Sequence, residues 1–527
     1  MYISHAESQG EFSVVTRTAA KMTGKETDMP GQKQYAGFPS AVVYAEPGGG
    51  DPGKKKKPVQ HLLWGDEMEV KGPPTGDWQH ICSRRVEGWV EKKYTQTDPL
   101  LDIVFVDIGQ GDGCIVSTPQ GKYILVDAGM EDNMLRFLKW RFDEFVQPQT
   151  FEAAVISHGD ADHYRGFSPI FDEPQVSFGT VYHNGIVDRK ADRDPDALGG
   201  VSGKGANAYL VNVIRDKSML QQLLSQSALI DGKEYPQMLK KALDSGRVAD
   251  MRMLSARDGY MPGYGPNDPM TIEVLSPVPK PDPQGNPRLP WFDNDIGRTK
   301  NGNSIMLRVT YNGLTLLLGG DLNITAENYL LSHYTCLDCP PPDAGHEDMV
   351  IESARKRLEC EVTKSCHHGS ADFTETFMRA VNPLVTVISS GDDESYSHPR
   401  ADTLGAIGRN SRGRRPLIFS TELARSSKDT IQHPVMVKKE LAKLNKAVEQ
   451  ATTDKAKTAA AAKLDKYYDE IVLRSVAVYG AINLRTDGKR LVMAQKIERP
   501  RDKAHKWDLY VFERGASGVL EYKGETP

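Results

Sequence analysis

The stretch ISHGDADHYRGF constrains the fold more than any other part of the sequence. It places His158, Asp160, Asp162 and His163 on one short loop directly behind TFEAAVISH, an apolar run that reads as a buried strand. Four such side chains crowded on one turn repel and dehydrate one another unless a cation sits among them. The pattern points to a metal site at the end of a β-strand. LDIVFVDIG, YILVDAG, TIEVLSP, SIMLRVTY and LTLLLGGD read as further strands, and NMLRFLKWRFDEFV as an amphipathic helix. Strands and helices alternate, as a layered sheet requires.

Organisation changes along the chain. Residues 1–40 are polar and aperiodic and read as a flexible leader. From Ala41 to about residue 97, short alternating apolar runs (AVVYAEP, VQHLLWGDEMEV, GDWQHI, RVEGWVEKKY) are separated by Gly, Pro and Asp turns, which describes a small all-β barrel. Trp64, Trp78 and Trp89 are candidates for a ligand groove or for barrel core. The lysines at 54–57 read as a solvated loop. The enzyme-like part is expected over 101–500, with an insertion at about 185–268 carrying two helical pieces. One long helix is expected over about 436–470, which has no Gly or Pro, and a C-terminal β extension over 501–527.

Composition excludes several classes. Lys+Arg 66 against Asp+Glu 71 gives a net charge of -5, so bulk charge does not coat nucleic acid. Six cysteines in 527 residues cannot build a disulfide framework and fit a reducing compartment. The N-terminal MYISHAESQGEFSV has no basic stretch followed by an apolar one, and no run approaches the ~18–20 apolar residues of a membrane span. A cytoplasmic protein is expected. DIGQGDG does not satisfy GxGxxG and no GK[ST] follows it, which disfavours a nucleotide loop. Cys336-Leu-Asp-Cys339 is a lone CxxC, with a zinc knuckle or redox pair as its minority reading.

The loop His-x-Asp-x-Asp-His resembles the His-x-His-x-Asp-His hallmark of the metallo-β-lactamase fold family, with Asp160 in place of the second histidine. FVDIGQGDGCIV, ILVDAG, NGNSIMLRV, LLLGGDL, KSCHHGSADF and SYSHP follow in an order similar to the hydrolase branch of ComEC-type competence proteins. The resemblance covers about Leu101 to Arg425. It implies an α+β fold, an αββα sandwich, preceded here by a barrel that resembles bacterial SH3-like domains. It further implies two divalent metal ions, Zn²⁺ or Mn²⁺. His158 and Asp160 would hold one and Asp162 and His163 the other; Asp321 would bridge, and either His367 or His368 would complete the second site. Asp127 would support the ligand loop. Asp107, Gln110 and Asp112 would line the site, with Asp107 and Gln110 orienting neighbouring groups. Where the family supplies a further histidine, this chain has Asn301 and Asn303. His398 would contact the substrate phosphate or protonate the leaving group, or else be structural, and Ser370 is a weaker phosphate contact.

The expected function is a phosphodiesterase or nuclease acting on nucleic acid or a nucleotide through a metal-activated water, with Asp162 and His398 as catalytic candidates. Replacing imidazole by carboxylate hardens the donor set and moves preference from Zn²⁺ toward Mn²⁺. The alternatives are a partner-binding or regulatory module whose SH3-like domain docks a protein or peptide, and a metallo-hydrolase of a non-nucleotide ester or amide.

Overall fold

The computed structural model describes residues 31–49, 57–391, 396–413, 415–421, 434–473, 480–497 and 500–526. Its frame is two facing β-sheets. From one edge the ten-stranded sheet runs Val248–Met253, Val176–His183, Gln149–Ile156, Tyr123–Ala128, Gly113–Ser117, Leu101–Phe105, Ile482–Thr486, Arg490–Lys496, Trp507–Arg514 and Leu520–Thr526. The six-stranded sheet runs Met270–Ser276, Met306–Tyr311, Leu314–Leu318, Val362–Lys364, Val385–Ile388 and Leu417–Ser420.

Strand alternation explains the layers. In Gln149–Ile156, Ala153 and Val155 point into the core shared by both sheets, with Leu307, Leu316, Val385 and Phe512. Ala154 and Ile156 point the other way, under a helical layer that contributes Phe137, Phe167, Leu220 and Leu239. On the second sheet Leu316 faces inward, whereas Leu317 faces Leu330, Ala354 and Phe377 of the outer helices. Strands covered on both faces must be apolar at consecutive positions, as FEAAVI and LTLLL are. The result is an αββα sandwich.

Connectivity then locates the site. Tyr123–Ala128, Gln149–Ile156 and Val176–His183 are mutually parallel, and so are Leu314–Leu318, Val362–Lys364 and Val385–Ile388. Open α/β sheets place ligands beyond the carboxyl ends of such strands. Asp127, His158, Asp321, His368 and Ser389 all lie at or just past those ends.

Several boundaries differ from the sequence expectation. Lys33–Ala36 is a strand paired with Glu67–Val70 and Thr95–Gln96, so the N-terminal β-module begins before residue 41; residues 1–30 lie outside the described residues. The module is a seven-stranded antiparallel sheet around Ala36, Val43, Leu62, Met68, Ile81 and Val90. Lys54, Lys55 and Lys56 also lie outside the described residues. The expected C-terminal extension is instead part of the main sheet, because Trp507–Arg514 pairs with Arg490–Lys496 along its whole length. The 185–268 insertion is not one block: Val248–Met253 is an edge strand of the main sheet, and a small four-stranded sheet draws on both Tyr209–Leu210 and Pro287–Pro290. The long helix is two, Pro434–Glu449 and Asp454–Leu473, because the Thr453 hydroxyl accepts from Ala456 N and caps a new start.

The module is seated on the sandwich. Leu63, Trp64 and Leu100 pack against Val492, Ala494, Trp507, Leu509 and Val511. Trp507 Nε1 donates to the His61 carbonyl at 3.1 Å, and Arg485 links Asp66 at 3.3 Å with Asp102 at 3.0 Å. Trp64 is therefore interface core, whereas Trp78 and Trp89 are half-buried, set against Tyr44 and His80. Among the described residues no helix is long and apolar enough to cross a membrane.

Candidate metal centre

Asp127 ends its strand at a bulge with φ +56°, which turns its carboxylate toward the next parallel strand. One oxygen accepts from Ser157 N at 2.7 Å; the other accepts from Ser157 Oγ at 2.6 Å and lies 2.8 Å from His163 Nδ1. His163 donates through Nδ1, which leaves Nε2 facing forward. His368 donates through Nδ1 to the Ser389 carbonyl at 3.0 Å and likewise presents Nε2.

These two nitrogens lie 3.2 Å apart. Asp321 Oδ2 sits 3.2 Å from His163 Nε2 and 3.1 Å from His368 Nε2, and Asp162 Oδ2 lies 3.5 Å from His368 Nε2. Two imidazole nitrogens and two carboxylate oxygens converging in a buried pocket form a donor set for a divalent ion. Asp112, His163, Asp321 and His368 are all buried, with ligand atoms within 4.8 Å of one another. Within that group Asp112 stands behind the rings: its oxygens are 3.3 Å from His368 Nδ1 and 3.9 Å from His163 Nδ1, and it pairs with the buried Lys364 ammonium. Asp112 thus lies on the Nδ1 side of both rings, and Asp162 on the Nε2 side of His368.

Electrostatics agree with the geometry. Burial disfavours a charged His163, yet Asp321 and Asp127 outweigh it and raise its pKa well above the usual range; Asp321 and Asp112 do the same for His368. Burial would raise the Asp162 carboxyl, but His368 and His163 hold it down at about 2. The pocket is thus built to hold positive charge, whether as protons or as a metal ion.

The other half of the loop is arranged differently. His158 is buried; its Nδ1 lies 3.1 Å from Ser157 Oγ and 3.3 Å from Ser304 Oγ, and its Nε2 has no hydrogen-bond partner among the described residues. Asp160 Oδ2 is 3.7 Å from that nitrogen. Asp160 Oδ1 pairs with Lys300 Nζ at 2.6 Å, while Oδ2 lies 2.8 Å from the Asn301 side-chain amide, which donates to it with its nitrogen turned toward Asp160. Of the two asparagines, Asn301 reaches Asp160; Asn303 instead donates to Pro290 O and Thr299 O and its carbonyl accepts from Asn184.

Of the histidine pair, His368 joins the cluster and His367 does not; the His367 ring lies 5.8 Å from that of His398. His398 is half-buried with its ring 6.3 Å from that of His368, toward the exposed side. Ser370 Oγ accepts from Asp372 N, and the Ser370 carbonyl accepts from Thr403. Asp107 is buried and accepts from Gly109 N; Gln110 is half-buried in the same turn. That turn rests on the ligand loop, since Asp112 N donates to the Asp162 carbonyl, and a Cβ at Gly111 (φ +107°) would stand 1.8 Å from that oxygen. Cys336 closes its helix with φ +58°, and among the described residues no group of three metal-ligating atoms gathers around the CxxC. Sequence reasoning had Asp112 lining the site and missed Lys300 and Lys364. The available signal for Lys364 was its place at the end of the short VTK strand, where Val362 is buried and Thr363 half-buried.

A buried His and Asp cluster at the strand ends of an αββα sandwich defines a candidate metallohydrolase centre. Residues 114–366 match the profile of the Metallo-beta-lactamase superfamily. No curated protein sequence matches the chain. Similar solved structures include a HARLDQ-motif mutant of a metallo-beta-lactamase from Cronobacter sakazakii, at 12% identity and TM-score 0.23, covering 50% of this chain and 79% of that one. A subclass B3 metallo-beta-lactamase, MEM-A1, from a soil metagenome library has 14% identity and TM-score 0.21, with the same 50% and 79% coverage.

Proposed function

We propose that the chain is a metal-dependent hydrolase of phosphodiesters, with nucleic acid or a nucleotide as substrate. What supports it is the convergence of His163 Nε2, His368 Nε2, Asp321 and Asp162, each imidazole fixed from behind by an acceptor on its Nδ1. A divalent ion at these donors acidifies water and neutralises charge on a phosphoryl oxygen. Two nitrogens and two carboxylates suit Mn²⁺ as well as Zn²⁺. The phosphodiester assignment rests on the resemblance to the ComEC-type branch.

In this reading the chain's own residues divide the work. Asp127 and Ser389 keep both imidazole Nε2 atoms free of hydrogen, and Asp112 with Lys364 stiffens the rings from behind. Asp162, held ionised at neutral pH, would offer Oδ2 to the ion and orient the attacking water at the front of the pocket. His398, on the open side, meets the phosphate or protonates the leaving oxygen. The half-buried Trp78 and Trp89 leave the N-terminal module an outer aromatic face for a protein or peptide ligand.

The test is hydrolysis of bis-p-nitrophenyl phosphate by protein loaded with Mn²⁺ or Zn²⁺, together with nucleic-acid and nucleotide substrates. Activity is expected in the wild type and lost in Asp162→Ala and Asp321→Ala. Undiminished turnover in either variant would refute the mechanism, and an inert metal-loaded wild type across the panel would favour a binding role.

A further inference from the structure

We infer that Lys300 is a tethered cation standing in for the first of the two metal ions expected in this fold, so that the chain carries one divalent ion. The inference rests on the His163, His368, Asp321 and Asp162 cluster being the ion site.

Asp160 is the residue that replaces a histidine at the first position, and neither of its oxygens is available. Oδ1 lies 2.6 Å from Lys300 Nζ, and Oδ2 lies 2.8 Å from the Asn301 side-chain amide, which donates to it with its nitrogen turned toward Asp160. A second carboxylate, Asp188, flanks the same ammonium at 3.6 Å. The lysine side chain is only 12% exposed, and a Cβ added at Gly159 would contact both the Tyr235 ring and Lys300 Cε. Lys300 also sits on a short helix, Ile296–Gly302, anchored at each end. Asp295 caps it through Arg298 N, and Gly302 lies so close to Phe292 that a Cβ would stand 2.6 Å from the ring. The ammonium is therefore built into the site and does not sample it from solvent.

A divalent ion at this position would have to displace the ammonium from Asp160 or share the carboxylate with a like charge a few ångströms away. Among the described residues His158 Nε2 and Asp321 Oδ1 have no hydrogen-bond partner, but one imidazole and one bridging carboxylate oxygen still fall short of the three protein ligands that hold an ion at a catalytic site. The donors at the other position owe nothing to Lys300. Asymmetry of this kind predicts occupancy of one position.

The experiment uses the full chain, stripped of metal, reloaded with Mn²⁺ and desalted, with the metal-to-protein ratio read by elemental analysis and the ion's surroundings by Mn²⁺ electron paramagnetic resonance. One ion per chain with the signal of an isolated Mn²⁺ is expected in the wild type. Lys300→Ala and Lys300→Met are expected to take up a second ion and to show the signal of a coupled pair; the methionine variant keeps the side-chain volume should the alanine variant fail to fold. Asp160→Asn, with Lys300 in place, should still hold one ion. Two ions in the wild type, one ion in a folded Lys300 variant, or loss of the ion in Asp160→Asn would overturn the role of Lys300 while leaving the metal site standing. No ion in the wild type would overturn the metal site as well.

Discussion

Replacing Asp127 by asparagine should cost metal affinity while sparing the fold. Asp127 is buried and accepts three hydrogen bonds, from Ser157 N, Ser157 Oγ and His163 Nδ1. An amide of the same shape keeps one acceptor, which Ser157 N can use. Its NH₂ then faces the serine hydroxyl, which rotates to accept, and His163 Nδ1, which must give up its hydrogen. The imidazole proton moves to Nε2, the atom aimed at Asp321. Loss of such an orienting partner typically weakens metal binding 10–100-fold, about 1.4–2.8 kcal/mol. With free metal at 100 times the wild-type Kd, the ion stabilises the wild type by about 2.7 kcal/mol and the variant by only about 0.4–1.4 kcal/mol. Metal titration by calorimetry, with thermal unfolding at fixed free Mn²⁺, reads both quantities. Wild-type affinity in a folded Asp127→Asn protein would refute the claim that this carboxylate sets the His163 tautomer.

Three further outcomes are expected. In the metal-free protein His163 and His368 have raised pKa values, so the stability they contribute is complete below the unfolded value of about 6.5 and is lost as pH rises through the folded values. Metal binding needs those nitrogens unprotonated, so the gain in Tm on adding Mn²⁺ should grow between about pH 6 and pH 8, and a gain that stays flat would contradict it. Trp64→Ala empties a fully buried site between the N-terminal module and the main sheet and should cost about 3–5 kcal/mol, measured by denaturant unfolding and by faster proteolysis of the module. Gly111→Ala forces a Cβ into the Asp162 carbonyl and should weaken ion binding, whereas Gly121→Ala, at a positive φ with open space around it, should show only backbone strain of about 1–3 kcal/mol; equal metal affinity in the two variants would argue against the turn supporting the ligand loop.

Much of this centre was legible because its donors cluster along the chain. His158 to His163 follow one strand and could be read together from their spacing, whereas Asp321 and the His367-His368 pair, near the ends of two other strands, were joined to them through the family resemblance. Lysine was harder. In sequence Lys300 and Lys364 look like solvated side chains, and only tertiary contacts with Asp160 and Asp112 show that burial is offset by pairing. The choice between His367 and His368 likewise turned on two consecutive positive φ angles, which local pattern does not encode. The misplaced boundaries share another cause. Leu101–Phe105 pairs with Ile482–Thr486, so where the sheet ends is decided by contacts between residues far apart in the chain.

The seat of the N-terminal module bears on how the protein is made. The module's inner core is complete within its own sequence, but the surface that covers Trp64 comes from Val492, Ala494, Trp507, Leu509 and Val511. About 430 residues separate Trp64 from Val492. At ribosomal rates of ~5–20 residues per second the nascent chain exposes that tryptophan face for roughly 20–90 s before its cover emerges. During synthesis the protein presents a sticky patch that the finished fold hides, and a chain released early, without its last strands, would keep presenting it to chaperones and to its own copies.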